Sequence, residues 1–539
     1  MSNIPLFKSP QIPNRSRSLQ LTSELQEYMQ ATGEFESESQ IERRRMIILK
    51  IENIFNTWIK EITLKRVRPF THKQIGGKVF PSGSFRLKVH SKDSDIDLLG
   101  VAPTSVNYGD FFRSFYKTLE MHPDVFELHP IKTSFVPVIK FKYEDINIDF
   151  LFAQLWTPTV REDLHLHELL IGNDFHTKPP NYQHTVNGCL VAEELLASVG
   201  NIENFRTTLR AVRLWAKNRA LCSNIFGMLG GVSWAILVGR ICQLFPGESS
   251  AVLLTKFFHH YLTWKWPEPV FMDTSEPLKY RNPNVLNERM SEMPIITPAI
   301  PEFNSACNVK TLTKAVIMEE LERGLDITSR VMEGNTSWNE LFQPLDFFSR
   351  FDNFLGLVCM AGSELEHRIL RGIVESQIVA LMRSLEKSEN FTKCHVNPKA
   401  FIPQDPKLIS LATEGIPPTA WFMGIQPKEG KPINIESELH EFQEKVFRAA
   451  KKNTFIKNTD KLAVAGTLIQ KNNLEKWLDI RDLYTRAIRA PEPISSKLSA
   501  GAVTSQKPLD VQLGRSFSTC ASQFILNNRK FLSKLCKIR

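Results

Sequence analysis

The sequence predicts an α+β protein of several domains: a small mixed α/β unit, a helical middle domain and a ferredoxin-like C-terminal domain. Three observations lead there. The 539 residues exceed what one hydrophobic core supports and suggest about three domains. Short β-like runs with turns between them cluster from Lys78 to about Leu155, namely KVFPSGS, DIDLLGVA, VPVIKFKY and INIDFLFA. Beyond Phe351 the runs follow the order strand, long helix, strand, strand, helix, strand, which is the ferredoxin-like succession.

Taken in order, residues 1–20 are rich in Pro, Ser and Arg and read as a flexible arm, and a helical stretch runs from about Thr22 to Lys65. The first domain is expected over residues 21–160. The middle domain is expected over residues 161–348, where ENFRTTLRAVRLWAKNRAL is amphipathic and GMLGGVSWAILVGRICQLF reads as buried. Residues 349–493 carry NFLGLVCMA, EHRILRGIVESQIVALMRSLEK, TKCHVNPKAF, AWFMGIQ, SELHEFQEKVFRAAKK and KLAVAGTLI, an RRM-like order used by RNA-recognition domains. Residues 494–539 form a basic tail, in which eight Lys and Arg face one acid, Asp510.

Composition narrows the class. A hydrophobic content of 42% with 23% charged residues is that of a folded chain, and the net charge of +9 points to a polyanionic partner, nucleic acid ahead of membrane. The 8 cysteines contain no CxxC pair, so no zinc site is expected. The amino terminus lacks a signal-peptide core, and Arg240 interrupts the best apolar run, Val232 to Leu244. A soluble intracellular protein is expected.

The chemistry is carried by carboxylates. Strand alternation sets Asp95 and Asp97 on one face of DIDLLGVA, with Ile96 and Leu98 on the other. Like charges this close call for a shared proton or a cation, and hard oxygen ligands favour magnesium or manganese. In INIDFLF, Asp149 lies opposite the apolar Ile148 and Phe150, and a hairpin with VPVIKFKY would bring it beside the first pair. Two metal ions held by three such carboxylates suit in-line attack on an α-phosphate. Gly83 and Ser84 fit the same chemistry, since a residue without a side chain lets backbone amides approach a phosphate.

The stretches GSFRLKVHSKDSDIDLLGVAP, VPVIKFKYEDINIDFLFAQL, VNGCLVAEELL, NFRTTLRAVRLWAKNRALCSNIFGMLGGVSWAILVGRICQLFP, FFHHYLTWKWPEPVFM, MPIITPAIP and GIVESQIVALMRSLEKSENFTKCHVNPKAF stand in a telling order. From about residue 70 to 400 the chain resembles eukaryotic poly(A) polymerases of the nuclear type, within the polymerase β-like nucleotidyltransferase superfamily. The resemblance implies a nucleotidyltransferase catalytic domain whose metal ligands are Asp95, Asp97 and Asp149. It implies two Mg2+ or Mn2+ ions, ATP as substrate, and adenylate transfer to RNA 3′ ends in mRNA polyadenylation, with Asp149 favouring loss of the 3′-hydroxyl proton. Nucleotide-binding positions carry over to Ser82, Gly83, Ser84, Ser91, Asn187, Arg213, Lys217, Cys222, Asn224, Gly231 and Val232. As partners it implies the RNA 3′ end and the cleavage and polyadenylation machinery, with a monomer, no membrane, and a nuclear location or a cytoplasmic alternative.

Four positions depart from the family pattern. Ser82 stands where an aromatic residue is usual, Lys88 replaces a glycine, Arg213 a lysine and Cys222 a tyrosine. Weaker nucleotide affinity or looser base choice is expected from the last two. A terminal transferase of other base preference and a non-catalytic RNA-binding scaffold stand as alternatives. Elsewhere, His165 and His167 are expected to serve surface or core roles, since residues two apart on a helix share no face. Tyr261, Trp264 and Trp266 are expected to pack. Lys451, Lys452, Lys457 and Lys461 with Phe455 have the composition of an RNA-contacting loop.

Overall fold

In the computed structural model, residues 10–66, 76–132, 136–170, 179–272, 291–431, 433–453 and 455–483 are described. They fall into two units: residues up to 224, 228–309 and 317–342 make the first, and residues 225–227, 310–316 and those from 343 onward make the second. The expected boundary near residue 160 lies inside the first unit. The basic tail expected over residues 494–539, with Cys520 and Cys536, lies outside the described residues, as do residues 1–9 of the arm.

The first unit opens with α1 (Arg15–Ala31), which starts where the Asn14 side chain accepts from the Arg17 N–H at 3.0 Å. This helix begins inside the segment expected to be a flexible arm. Asn14 supplies the cap, and Ser18, Leu21, Leu25 and Met29 form a buried stripe. The Ala251 N–H donates to Thr22 Oγ1 at 3.2 Å and Trp338 Nε1 to the Leu21 carbonyl at 3.0 Å, so the stripe is covered. Gly33, at φ +65°, then turns the chain into α2 (Glu38–Arg66), which splits the single helical stretch expected from Thr22 to Lys65.

Five strands follow: β1 (Lys78–Pro81), β2 (Ile96–Ala102), β3 (Val125–Ile131), β4 (Val138–Tyr143) and β5 (Ile146–Gln154), in the spatial order β1-β2-β5-β4-β3. β2 runs parallel to β5, and the other pairs are antiparallel. β4 and β5 form the expected hairpin. The inward residues of the sheet meet α2 in an aromatic nest, where the Phe55, Phe115 and Phe150 ring centroids lie 5.3 to 5.4 Å apart.

The rest of the first unit is helical: α4 (Pro180–Ser198), α5 (Ile202–Asn218), α6 (Gly231–Leu244), α7 (Ser250–Thr263) and the part of α8 (Thr311–Met332) from residue 317. One side of α5 buries Phe205, Leu209, Val212 and Trp215, while Arg206, Arg210, Arg213 and Lys217 recur along the other. Just beyond α5, Arg219 makes a buried two-pronged ion pair with Glu320 of α8, at 2.8 and 3.0 Å. Tyr261, Trp264 and Trp266 pack, each donating its polar hydrogen to a backbone carbonyl at 2.7, 2.8 and 3.1 Å. His165 and His167 are both exposed, in keeping with the surface role expected, and both line one cavity of about 320 Å3, His165 just before and His167 within a short 3-10 helix, Leu166–Leu170.

The second unit has the expected order of elements: β6 (Asn353–Met360), α9 (Glu364–Lys387), β7 (Phe391–Val396), β8 (Thr419–Pro427), α10 (Glu436–Lys452) and β9 (Ala463–Gln470). All pairs are antiparallel in the order β7-β8-β6-β9. Leu370, Val374 and Ile378 of α9 and Phe442 and Val446 of α10 cover one face. Phe347, Phe348, Leu474 and Leu478 cover the other, where Phe354 and Phe422 are fully buried. The sheet therefore presents no aromatic platform for stacking bases. Lys451, Lys452, Lys457 and Lys461 are exposed, and the N–H groups of Lys457 and Asn458 donate to the buried Glu366 carboxylate at 3.0 and 3.3 Å. No described helix is long and apolar enough to cross a membrane.

The Arg219–Glu320 pair generates a stability prediction. Glu320→Ala leaves a buried guanidinium without its carboxylate and should cost about 3 to 5 kcal/mol in urea unfolding. A cost under about 1 kcal/mol would mean that Arg219 is already balanced by other groups.

Candidate active site

Parallel pairing of β2 with β5 stands Asp97 directly opposite Asp149, and antiparallel pairing of β4 with β5 stands Lys140 opposite Asp149 on its other side. Asp95 precedes Asp97 by two residues and shares its face. The three carboxylates feel one another: burial, then the charges of Asp149 and Asp95, push the Asp97 carboxyl up to about 7. Burial and the Asp149 charge raise Asp95 as well, while a hydrogen bond with Asn147 opposes this. The Lys140 ammonium forms an ion pair with Asp149, and together with Arg213 it offsets the charge at Asp97.

The loop before β2 is pinned from below. Arg44 of α2, almost fully buried, pairs with Glu36 at 2.8 Å and donates to the carbonyls of Ser94 at 2.7 Å and Lys92 at 2.9 Å. These contacts fix the two residues flanking Asp93 and so the start of the strand that carries Asp95. Ser91 sits in the same loop, within 3.0 Å of the Ser94 hydroxyl.

Gly83 approaches Asp97 closely. It opens the five-residue helix α3 (Gly83–Leu87) at φ +57°, and a Cβ built there would lie 2.2 Å from Asp97 Oδ2. The Ser82 N–H donates to the Asp97 carbonyl at 2.9 Å, and the Ser82 hydroxyl donates to the same carbonyl at 3.5 Å. Ser82 thus faces the interior. The Ser84 hydroxyl has no partner among the described residues and remains available to a ligand. Lys88, standing where the family resemblance expects glycine, adopts φ 59°, a left-handed conformation that costs a side-chain-bearing residue about 1 to 2 kcal/mol. Arg206 and Arg210 of α5 hold this turn by donating to the Leu87 carbonyl at 3.0 Å and the Lys88 carbonyl at 2.7 Å.

A second cluster lies along α5 and at the start of α6. Gly231 and Val232 are the first, exposed residues of α6, whose cap Gly230 offers no side chain, so the first-turn N–H groups are open to an anion. Arg213 Nη1 lies 3.9 Å from where a Gly231 Cβ would stand. Asn224 packs under Gly230, with its side-chain oxygen buried and lacking a partner among the described residues. Burial raises the Cys222 thiol, and the charges of Lys217 and Arg213 oppose this, which puts all three in one neighbourhood. Asn187 stands apart: fully buried, its amide donates to the carbonyls of Ala299 and Pro301, both at 2.7 Å.

Sequence reasoning missed Lys140, Asn147, Glu34 and Asp93. The first two had a signal, because alternation in VIKFK and INID puts Lys140 and Asn147 on the face of Asp149. Glu34 and Asp93 meet Lys217 from loops distant in sequence, and no local pattern announces them. Among the described residues, no group of three or more His, Cys, Asp or Glu is arranged to hold a metal ion. Asp149 is instead engaged by Lys140. The donor set is nonetheless that of a hard dication, all carboxylate oxygens, and the raised Asp97 marks a point where positive charge would be stabilising.

Residues 11–199 match the poly(A) polymerase nucleotidyltransferase domain, residues 204–344 the poly(A) polymerase central domain and residues 346–407 the poly(A) polymerase predicted RNA binding domain. The chain is 36% identical over 440 residues to nuclear poly(A) polymerase 1 of Arabidopsis thaliana, covering 79% of this chain and 60% of that protein. It is 35% identical over 393 residues to a poly(A) polymerase of Dictyostelium discoideum, covering 72% and 48%. It is 36% identical over 389 residues to the poly(A) polymerase PAPa of Candida albicans, covering 71% and 70%. The chain thus spans 60% and 48% of the lengths of the first two.

The Asp97 environment has a sign that can be measured. With its carboxyl pushed up to about 7, the folded protein holds a proton that the unfolded chain releases near pH 4. Wild-type stability therefore falls through this residue as pH rises between those values. In chelator, Asp97→Asn should be neutral at low pH and gain up to about 4 kcal/mol above neutrality. Urea unfolding at about pH 5 and about pH 8 checks this; an equal gain at both would mean that charge is not the cause.

Proposed function

Since the chain belongs to the poly(A) polymerase family, we propose that it transfers adenylate from ATP to the 3′ end of RNA without a template. The observation that carries this reading is the register that sets Asp97 against Asp149, with Asp95 beside them, in a unit matching the nucleotidyltransferase domain. The RNA 3′-oxygen attacks the α-phosphorus, the bond to the departing pyrophosphate breaks, and the hydroxyl proton leaves toward the Asp149 carboxylate or solvent.

Asp95, Asp97 and Asp149 would hold two Mg2+ or Mn2+ ions, which lower the pKa of an attacking hydroxyl and neutralise charge on a leaving pyrophosphate. The chain's own groups position the substrates. The open N–H groups at Gly231 and Val232, with Arg213 and Lys217, offer positive charge to the triphosphate. Ser84 adds a free hydroxyl and Gly83 a backbone without obstruction. Cys222 and Asn224 line the same neighbourhood, and Asn187 acts at one remove by holding residues 299–301. Ser82 and Ser91 shape the loop around the carboxylates rather than offer free hydroxyls.

On this reading residues 21–160 form the catalytic domain, 161–348 the middle domain, 349–493 the RNA-binding domain and 494–539 a basic tail. RNA contacts are assigned to loops such as that of Lys451, Lys452, Lys457 and Lys461, because the sheet of the second unit is covered. We propose, on the same family membership, a nuclear monomer working with the cleavage and polyadenylation machinery. The similarity to nuclear poly(A) polymerase 1 of Arabidopsis thaliana supports the compartment.

Primer extension on labelled oligo(A), with each of the four nucleoside triphosphates and either metal, tests the reading. A ladder with ATP that Asp97→Ala abolishes is expected; no extension by wild type under either metal would favour an RNA-binding scaffold. Lys140 gives a second test. Because its ammonium competes for Asp149, Lys140→Met should tighten Mn2+ binding about fivefold in a titration without nucleotide. Weaker binding by that variant would show that Lys140 supports the ion site instead.

A further inference from the structure

Lys217 is not free to meet a ligand. Its ammonium pairs with Glu34, in the turn between α1 and α2, and lies 3.4 Å from Asp93 Oδ2. The turn is a strap laid on the basic side of α5. The Lys92 N–H donates to the Glu34 carbonyl at 3.0 Å, and the Arg210 guanidinium stands 5.6 Å from the Phe35 ring centroid. Glu36 pairs with Arg44 at 2.8 Å and with His90 at 3.1 Å, where both carboxylate and guanidinium are buried.

The strap's anchors are its backbone, Phe35 and Glu36. The Glu34 side chain is not needed to fasten it. That side chain is a fifth exposed and its lysine partner nearly half, so the pair faces solvent where a ligand can reach it. Its charge count is also unusual. One ammonium meets two carboxylates, and the charge of Arg213 nearby brings the cluster close to neutral, so Lys217 presents little net positive charge at a position otherwise suited to a polyphosphate.

We propose that the Glu34 carboxylate occupies the phosphate position at Lys217 and competes with the nucleotide triphosphate for that lysine. This rests on the adenylyltransferase reading above. A bound triphosphate must displace Glu34 before Lys217 can serve it, so part of the binding energy is spent on that exchange. Glu34 therefore sets nucleotide affinity without touching the reacting atoms. Asp93, far more exposed, contributes in the same direction and more weakly.

The experiment uses the full chain. Glu34→Gln keeps the side chain's size and removes its charge; it should lower the KM for ATP about two- to fivefold and leave kcat within about twofold. Asp93→Asn should lower KM by less, and adding Lys217→Ala to Glu34→Gln should erase the gain. Inorganic tripolyphosphate, titrated by calorimetry without metal or nucleotide, should bind Glu34→Gln more tightly by a similar factor, with the difference shrinking as salt screens the pair. An unchanged or raised KM, or an unchanged tripolyphosphate affinity, would overturn the proposal, because a merely structural ion pair would weaken both on removal. Should wild type transfer no adenylate, the adenylyltransferase reading fails by itself, and the tripolyphosphate titration still decides the part played by Glu34.

Discussion

The pairing of β2 with β5 is the constraint on which the rest of the site depends. It forces Asp97 against Asp149 with Asp95 alongside, an arrangement that like charges resist and that burial makes costlier. The surrounding structure reads as a set of answers to that repulsion. Lys140 comes in from β4, Asn147 from the same strand as Asp149, and Arg213 lends charge from α5. Behind them, the aromatic nest of Phe55, Phe115 and Phe150 packs against the far face of β5. Packing on one face of the sheet thus sustains an electrostatic tension on the other.

The same logic governs the basic side of α5. Arg206 and Arg210 are spent on backbone carbonyls that shape the turn at Lys88, and Lys217 is spent on Glu34. Arg213 is left facing the start of α6. The protein without ligand is close to internally neutral at both clusters: a lysine stands on a carboxylate where dications are proposed to sit, and a glutamate on a lysine where phosphate is. Ligand binding is then an exchange of partners more than a filling of open charge.

What could be read from the sequence was whatever rests on period and spacing. The alternation around Asp95, Asp97 and Asp149 gave their common face, and the runs after Phe351 gave the ferredoxin-like order, because both are local patterns that tertiary packing did not override. The break at Gly33 was missed, since a short turn between two helices leaves the helical period almost intact. The cover over the second sheet was missed for a different reason. Phe347, Phe348, Leu474 and Leu478 lie outside the six elements, and nothing local says which face such flanking residues will seek. The nucleotide positions carried over from the family divided in the structure. Arg213, Cys222, Asn224, Gly231 and Val232 gather in one place, while the contacts of Ser82, Ser91 and Asn187 are with the protein itself.

Gly83 has an evolutionary consequence. With a Cβ position 2.2 Å from a carboxylate oxygen and a left-handed backbone, the site admits another amino acid only if the Asp97 carboxylate moves and the backbone bears strain. Every amino-acid replacement that a single nucleotide change can make in a glycine codon brings a Cβ. Any replacement at this residue therefore acts directly on the Asp97 carboxylate, which ties the glycine to the need for that group.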